Sequence, residues 1–231
     1  MKTKLLSALI LCCLTATGLN AQTFWDDSEP QRATSNSDEG KVCLRLGITG
    51  CAVMSGLSSS VYPSFGIRPG IGIGAAFQIR FLSRDELSTA QTGLLAFQPE
   101  VRFDMAGGNS SEGKLGLFYV TMPLMFQVYP IKGLYIEAGP TLALNVGHTP
   151  SSVLAAGYEF SLDRMRANDI QVSAGLGYAF DNGLAVGARF NKGFQSLAGN
   201  MPWKNWNLQI GVTYTFKLGM KNVSGKEDIF Y

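Results

Sequence analysis

The stretch LFYVTMPLMFQVYPIKGLYIEAGPTLALNVG, residues 117–147, decides the fold of this chain. Apolar residues occupy every second position in both of its arms. In the first arm they are Phe118, Val120, Met122, Leu124, Phe126 and Val128, and in the second Leu134, Ile136, Ala138, Pro140, Leu142, Leu144 and Val146. A period of two predicts β-strands, and the tight turn at residues 131–133 predicts that the two arms form a hairpin. Strands of globular proteins average about 5–6 residues, whereas strands that cross a membrane need about 9–11. Both arms exceed that length, so the pattern predicts a hairpin that crosses a bilayer.

The same alternation predicts six further strands. They lie near residues 41–49, 71–81, 95–103, 170–180, 184–190 and 206–218. The connections alternate between long ones, near residues 55–66, 106–113, 148–168 and 194–204, and shorter ones, near residues 83–90, 130–133 and 181–183. Outer-membrane barrels have an even number of strands, short periplasmic turns and long outer loops. We therefore predict an all-β fold, an eight-stranded antiparallel up-and-down transmembrane β-barrel over residues 41–219, with both ends in the periplasm.

The polar face of the predicted strands indicates which side meets lipid. A soluble barrel with an apolar centre, as in a lipocalin, would expose many Lys, Glu and Asp, but this face is rich in Gly and Ala and has few charges. Small residues with balanced charges suit the inside of a narrow barrel, where each charge needs a partner. We expect Glu100, Asp104 and Glu137 to neutralise Arg45, Arg80, Arg102 and Arg189 in a lumen plugged by side chains.

Prolines and aromatic residues give two further expectations. Pro99, Pro123 and Pro140 lie inside predicted strands, where each removes a hydrogen-bond donor, so we predict bulges or local kinks there. Aromatic residues near the strand ends predict the two interfacial girdles of a membrane barrel. They are Phe81, Tyr129, Tyr178, Phe180 and Phe216 on one side, and Phe190, Phe194, Trp203 and Trp206 on the other.

The ends of the chain predict export. Residues 1–21 have a basic start, an apolar core and a small-residue cleavage site, which is typical of a signal peptide. The alternative is a lipoprotein anchored at Cys12 or Cys13. Residues 22–40 are acidic and lack apolar periodicity, which predicts a disordered periplasmic leader or, alternatively, a docking tail centred on Phe24 and Trp25. Residues 220–231 form a tail beyond the last predicted strand.

Composition excludes several classes of function. Residues 1–21 hold two of the 19 basic side chains and none of the 17 acidic ones, so 17 of each remain and no basic excess attracts nucleic acid. The body has no apolar run of about 18 residues, so transmembrane helices are not expected. Cys43 and Cys51 lie eight positions apart on one predicted strand, about 26 Å at ~3.3 Å per residue, too far to form a disulfide with each other. We expect inward-facing structural thiols, no metal site and no cofactor.

Two motifs are candidate sites of chemistry. His148 is the single histidine, and with Ser151, Ser152 and Asp163 it could serve a lipid-modifying enzyme at the barrel rim, but loop Ser and His residues are common, so we predict no catalytic residues. Residues 70–74 read GIGIG, but a strand continues where a dinucleotide-binding helix would begin. These glycines instead make room in the lumen or ease curvature.

Five segments of the predicted strands have a composition and order typical of a known family. They are FQPEVRF at 97–103, MPLMFQVYP at 122–130, GLYIEAGP at 133–140, GLGYAFDNGLAVGARFNKGF at 175–194 and NLQIGVTYTFKLG at 207–219. These segments resemble the PorT-like outer-membrane β-barrel family of Bacteroidetes. The resemblance implies a small barrel in the outer membrane, and its founding member is an accessory of the type IX secretion and gliding apparatus.

These observations together predict a monomeric outer-membrane barrel with a structural or interaction role. It would contact outer-membrane lipid, and other envelope proteins through its long loops or its leader. The alternatives are an accessory of the type IX apparatus, a lipid-modifying enzyme and a narrow solute channel.

Overall fold

The computed structural model describes residues 41–82, 95–110, 113–150, 152–155, 158–161, 165–198 and 201–222. The predicted signal peptide, the predicted leader and the last nine residues lie outside these ranges. None of the described residues forms a helix long and apolar enough to cross a membrane.

Ten strands make up the described part of the chain. They are β1 (Lys41–Ser58), β2 (Phe65–Leu82), β3 (Leu95–Asn109), β4 (Lys114–Ile131), β5 (Leu134–Thr149), β6 (Ser152–Ala155), β7 (Tyr158–Ser161), β8 (Asn168–Ala179), β9 (Leu184–Ala198) and β10 (Met201–Asn222). Eight of them form a closed barrel in the order β1-β10-β9-β8-β5-β4-β3-β2, with every neighbouring pair antiparallel. Pairing of β1 with β10 closes the ring, and the predicted fold is confirmed.

The strands are longer, and most of the connections shorter, than the sequence predicted. The loops expected at 55–66, 106–113 and 194–204 shrink to residues 59–64, 110–113 and 199–200, because strand pairing continues almost to the tips. The connection after β5 holds a separate hairpin, in which β6 pairs with β7. The β1–β2, β3–β4 and β9–β10 connections and the connection after β5 all lie at one end of the barrel, which we call the loop end. The opposite end, which holds the β4–β5 and β8–β9 turns, is the turn end, and Lys41 pairs with Asn222 there.

The outward face of the wall is apolar, as predicted. Leu46, Leu142 and Ile210 expose 46%, 41% and 51% of their surface, whereas the charged side chains of the alternate positions are buried. In water, this continuous apolar surface would be far larger than the few hundred Å² that soluble monomers expose. The wall is therefore built to contact hydrocarbon.

The prolines leave the strand register unchanged, so of the two alternatives expected there, bulges or local kinks, the bulges are wrong and the kinks stay a prediction. Each of them instead leaves a local gap in one ladder, on the side of the preceding strand. Among the described residues, the pairs next to Pro99 are missing between β2 and β3, those next to Pro123 between β3 and β4, and those next to Pro140 between β4 and β5. A missing N–H removes the bond without adding a residue, so the alternation of faces continues.

The predicted aromatic girdles need one correction. Phe81, Tyr178, Phe180 and Phe216 are exposed near the turn end, and Phe190 and Phe194 toward the loop end. Tyr129 and Trp203 are instead buried inside the barrel. Their positions have the parity of the inward residues of β4 and β10, so strand geometry directs them into the lumen.

Candidate functional site

The centre of the lumen holds an ion-pair cluster built around Glu100 and Arg189. The Arg189 guanidinium donates to both Glu100 oxygens, at 2.9 Å from Nη1 and 2.8 Å from Nη2, and its Nε donates to Glu137 at 2.7 Å. A planar guanidinium matches a carboxylate in this two-bond arrangement. These residues come from β3, β5 and β9, so the cluster ties together distant parts of the wall.

Arg102 continues the cluster toward the loop end. Its Nη1 lies 3.6 Å from a Glu100 oxygen, and its Nη2 donates to Asp104 at 2.7 Å. The same Nη2 lies 3.0 Å from the Cys51 sulfur, and the Thr121 hydroxyl donates to the other Asp104 oxygen at 2.7 Å. Cys51 and Cys43 are both free thiols, and both have the inward parity of β1.

A layer of glutamines lies between this cluster and the turn end. The Gln78 amide donates to Gln98 at 2.8 Å and to Gln127 at 2.9 Å, while Gln98 donates to Glu100 and Gln127 to Glu137. Tyr129 donates to Gln127 at 2.9 Å. The layer thus extends the carboxylate cluster across the lumen with neutral hydrogen bonds.

The two remaining members of the predicted network lie nearer the turn end. The Arg80 guanidinium stacks over the Tyr129 ring, 3.8 Å from its centroid, and Arg45 is 3% exposed. The structure therefore brings five of the seven predicted residues, Glu100, Arg102, Asp104, Glu137 and Arg189, into one ion-paired cluster. It places Arg80 against an aromatic ring, a cation–π contact that the sequence analysis did not foresee.

A chain of small polar side chains runs across β5, β8, β9 and β10, closer to the loop end than Glu137 and Arg189. The hydroxyls of Thr141 and Ser173 lie 2.6 Å apart, Ser173 donates to Asn191 at 2.5 Å, and Asn191 donates to Asn207 at 2.6 Å. All four occupy inward positions in four successive strands of the ring. The inward parity of these residues and of the glutamines was the available signal, but the sequence analysis singled out only the charged members.

The loop end of the lumen is filled by an apolar cluster that the sequence analysis missed. We call it the apolar cap, and it consists of Leu57, Phe65, Ala106, Leu115, Leu117, Tyr119, Ala143, Leu197, Ala198 and Trp203. Trp203 is fully buried, stacks on Tyr62 with ring centroids 5.2 Å apart, and donates from Nε1 to the Pro63 carbonyl at 3.0 Å. The cap is the part of the interior that most resembles the core of a soluble protein.

The spaces left between these layers are small. Three lumen cavities measure about 40, 20 and 10 Å³. A single water needs roughly 10–15 Å³ of such volume, so the cavities are on the scale of a few waters. Within the described part of the chain, a larger space of about 410 Å³ lies only at the turn end, where Arg45, Asp181 and Lys217 are among its lining residues.

Two of the four candidate catalytic residues, His148 and Ser152, are described, and both lie at the loop end. His148 is near the end of β5 and pairs with Leu117, and the Ser152 hydroxyl donates to Glu159 at 2.7 Å. Ser151 and Asp163 lie outside the described residues. Among the described residues, no group of three or more His, Cys, Asp and Glu side chains could hold a metal ion.

The glycine run lies within β2, and no helix begins there, although the β2–β3 register shifts between Gly66 and Gly72. A Cβ at Gly72 would meet the Asp104 carboxylate and the Cys51 sulfur, and one at Gly74 would meet Arg102. These two glycines therefore make room for the ion-pair cluster, which is one of the two structural roles expected for them.

A family model for the outer membrane protein beta-barrel domain matches residues 21–199, most of the chain. The chain belongs to the outer-membrane protein β-barrel domain family. It is located in the outer membrane, where its apolar wall contacts lipid. The matched segment ends in the residues after β9, and β10 completes the ring of this outer-membrane barrel.

Solved structures of other small barrels resemble this family member in fold. Neisserial surface protein A (NspA) is 16% identical, covers 74% of this chain and 97% of its own, and has a TM-score of 0.50. Ail, the attachment invasion locus protein of Yersinia pestis, is also 16% identical, covers 77% of this chain and 99% of its own, and has a TM-score of 0.42. No curated protein matches the sequence.

Proposed function

We propose that this barrel is a monomeric structural or interaction module of the outer membrane, with a lumen that passes no solute. The observation that supports the proposal is the filling of the lumen: from the turn end to the loop end, the glutamine layer, the ion-pair cluster and the apolar cap follow one another along the axis. Barrels of about eight strands have interiors that side chains just fill.

Conductance tests the closed lumen. The barrel, reconstituted into planar bilayers, is expected to give no steady single-channel current. Insertion is verified in the same preparation by a gel run in detergent without heating, on which the folded barrel gives its own band. Steady large conductance from inserted protein would contradict the proposal and favour a channel.

The interaction role places specificity in the loop end, because loops on a rigid scaffold are where binding surfaces are usually found. Photo-crosslinkers at Val61 and Ser152 are expected to join other envelope proteins in cells. A crosslinker at lipid-facing Ile210 is the matched control, and it is expected to join lipid. Equal protein crosslinking from all three positions would contradict a binding surface at the loop end.

A second candidate is an accessory of the type IX secretion and gliding apparatus. It is favoured by the PorT-like segments, of which MPLMFQVYP at 122–130 and GLYIEAGP at 133–140 form the central hairpin of the wall. Co-purification of the tagged barrel with components of that apparatus, together with a secretion defect in a deletion strain, is the expected result. Normal secretion in the deletion strain would exclude it.

The proposal does not include an enzymatic role. His148 is part of the β4–β5 ladder, and the Ser152 hydroxyl donates a hydrogen bond to Glu159, so each of these candidate residues has a structural role in the strands. Lipid A from strains with the wild-type barrel and with His148→Ala is expected to give the same mass spectrum. A modified lipid A species that disappears in the variant would establish catalysis.

A further inference from the structure

Two lysines lie side by side on the outer wall near the loop end. In the β9–β10 ladder Lys192 pairs with Trp206, and in the β1–β10 ladder Lys204 pairs with Ser58. Lys204 is two positions beyond Trp206 on the same face of β10, where the β9–β10 register shifts and Lys204 pairs with Ser196. It therefore lies one outward position beyond the partner of Lys192, across this irregularity of the ladder. We call the group of Ser58, Lys192, Lys204 and Trp206 the lysine-pair site.

The side chain of Lys192 lies across a whole strand. Its Nζ donates to the Ser58 hydroxyl at 2.7 Å, although Ser58 is on β1 and β10 lies between them. Two strand spacings are roughly 10 Å, so the stem of Lys192 crosses β10 between Trp206 and Lys204. This position brings its ammonium group next to the residue opposite Ser58, which is Lys204.

Trp206 forms the floor of the site on the side of the membrane centre. Its indole covers Gly56, where a Cβ would meet the ring, and its ring centroid lies 6.3 Å from that of Phe190. The absence of a side chain at Gly56 allows the indole to lie close against the wall. A flat aromatic surface therefore borders the two ammonium groups.

The charge of the site is unbalanced. The ion pairs found among the described residues involve neither Lys192 nor Lys204. The ammonium group of Lys192 lies at Ser58, the residue that pairs with Lys204, so the two like charges repel each other. An anion held between the two ammonium groups would remove that repulsion.

The height of the site on the wall indicates the source of the anion. From Trp206 to Phe216 the outward residues of β10 are Trp206, Leu208, Ile210, Val212, Tyr214 and Phe216. That distance is about 33 Å along the strand and about 25 Å along the axis at a tilt near 40°, which is the height of the apolar band of an outer-membrane barrel. Lys204 and Ser58 lie just beyond this band, and Lys192, opposite Trp206 at its edge, extends its ammonium group to Ser58 at the level of the lipid headgroups.

We propose that the lysine-pair site binds the phosphate of an anionic membrane lipid in the leaflet at the loop end. The two ammonium groups and the Ser58 hydroxyl supply hydrogen-bond donors to the phosphate, and Trp206 and Phe190 contact the start of the acyl chains. A phosphomonoester headgroup fits best, because it has more negative charge and no cationic group to meet the lysines.

Native mass spectrometry of the full mature barrel in detergent tests the proposal, with dilauroyl phosphatidic acid and dilauroyl phosphatidylcholine as probes. The wild type is expected to retain phosphatidic acid about tenfold better than phosphatidylcholine, a difference of ~1.4 kcal/mol. The double variant K192Q/K204Q is expected to lose this preference. Lys114→Gln, which removes an exposed lysine at the same end but on another strand, is expected to keep it.

The outcomes separate a specific site from general charge attraction. Loss of the preference in K192Q/K204Q but not in Lys114→Gln supports the site. Equal losses in both, an unchanged preference in the double variant, or a wild type that does not distinguish the two lipids would each overturn the proposal. All three changes are on the surface, so each variant is expected to fold. The band of the folded barrel on unheated gels checks this.

Discussion

At the residue scale, Glu100 is the carboxylate that joins the two arginines of the ion-pair cluster. It accepts two hydrogen bonds from Arg189 and one from Gln98, and it lies 3.6 Å from Arg102. With 4% of its surface exposed, it has little water to replace any of these partners. A buried charge of this kind is costly to leave without its partner, whatever the net value of the intact cluster.

Glu100→Gln is therefore expected to destabilise the barrel by about 3–5 kcal/mol, because Arg189 loses its main counter-charge in a buried position. The free energy of unfolding in urea, measured in lipid vesicles, gives the value. The control is Asp181→Asn, which breaks the exposed Lys132–Asp181 pair of 3.5 Å and is expected to cost under ~1 kcal/mol. Similar losses in the two variants would show that the central cluster does not stabilise the fold.

At the element scale, the prolines of β3, β4 and β5 form a line across the wall. Pro99 and Pro140 both lie opposite Leu124, one on each side, and Pro123 is the next residue along β4. Three successive ladders therefore lose backbone hydrogen bonds at nearly one height. In hydrocarbon there is no water to replace these bonds, so this line is the weakest part of the wall.

Pro140→Ala restores an N–H that faces β4 and is expected to slow amide exchange at Leu124 and Met125. Its effect on the free energy of unfolding is expected to stay within ~1 kcal/mol, because the new hydrogen bond and the added freedom of the unfolded chain oppose each other. Hydrogen–deuterium exchange read by NMR checks the local effect. Pro63→Ala, outside the ladders, is the control, and faster or unchanged exchange in Pro140→Ala would contradict the assignment.

At the scale of the whole molecule, the interior has two different parts. The level of the apolar band contains charges and amides, and the loop end contains the apolar cap inside strand extensions. This reversal follows from the surroundings. Where lipid covers the wall, the polar side chains of the lumen find hydrogen-bond partners only among themselves. Beyond the lipid, the interior of the barrel is filled by apolar packing, as in a soluble protein.

Trp203→Ala is expected to destabilise the barrel by about 3–5 kcal/mol because it empties the centre of the cap. It is not expected to open a conductance, since the polar layers still fill the lumen below. Trp206→Ala is the matched control on the outward face of the same strand, and a smaller loss is expected because lipid can fill the space. Thermal unfolding and planar-bilayer recordings of both variants check the pair, and an equal loss would contradict the buried role of Trp203.

The sequence by itself determined the wall of this barrel. Strand alternation is a local property, so the outward positions of Leu46, Leu142 and Ile210 and the inward positions of Arg102 and Arg189 could be read directly. The apolar cap was missed because the alternation of the first arm was followed from Phe118 onward, with apolar side chains on the lipid side. Leu115 and Leu117 are apolar at the inward, odd-numbered positions of the same strand, and this change in which positions are apolar was the signal that could have revealed the cap.

The tertiary structure alone decided which inward residues meet. Glu100 and Arg189 are 89 residues apart, and Lys192 and Ser58 are 134 residues apart. Their contacts depend on the stagger of the closed ring, since a tilt of the strands places at one height residues that no local pattern relates. The two-residue period of apolar side chains therefore determined which residues of each strand face inward and which face outward. Closure of the barrel determined which inward side chains contact each other.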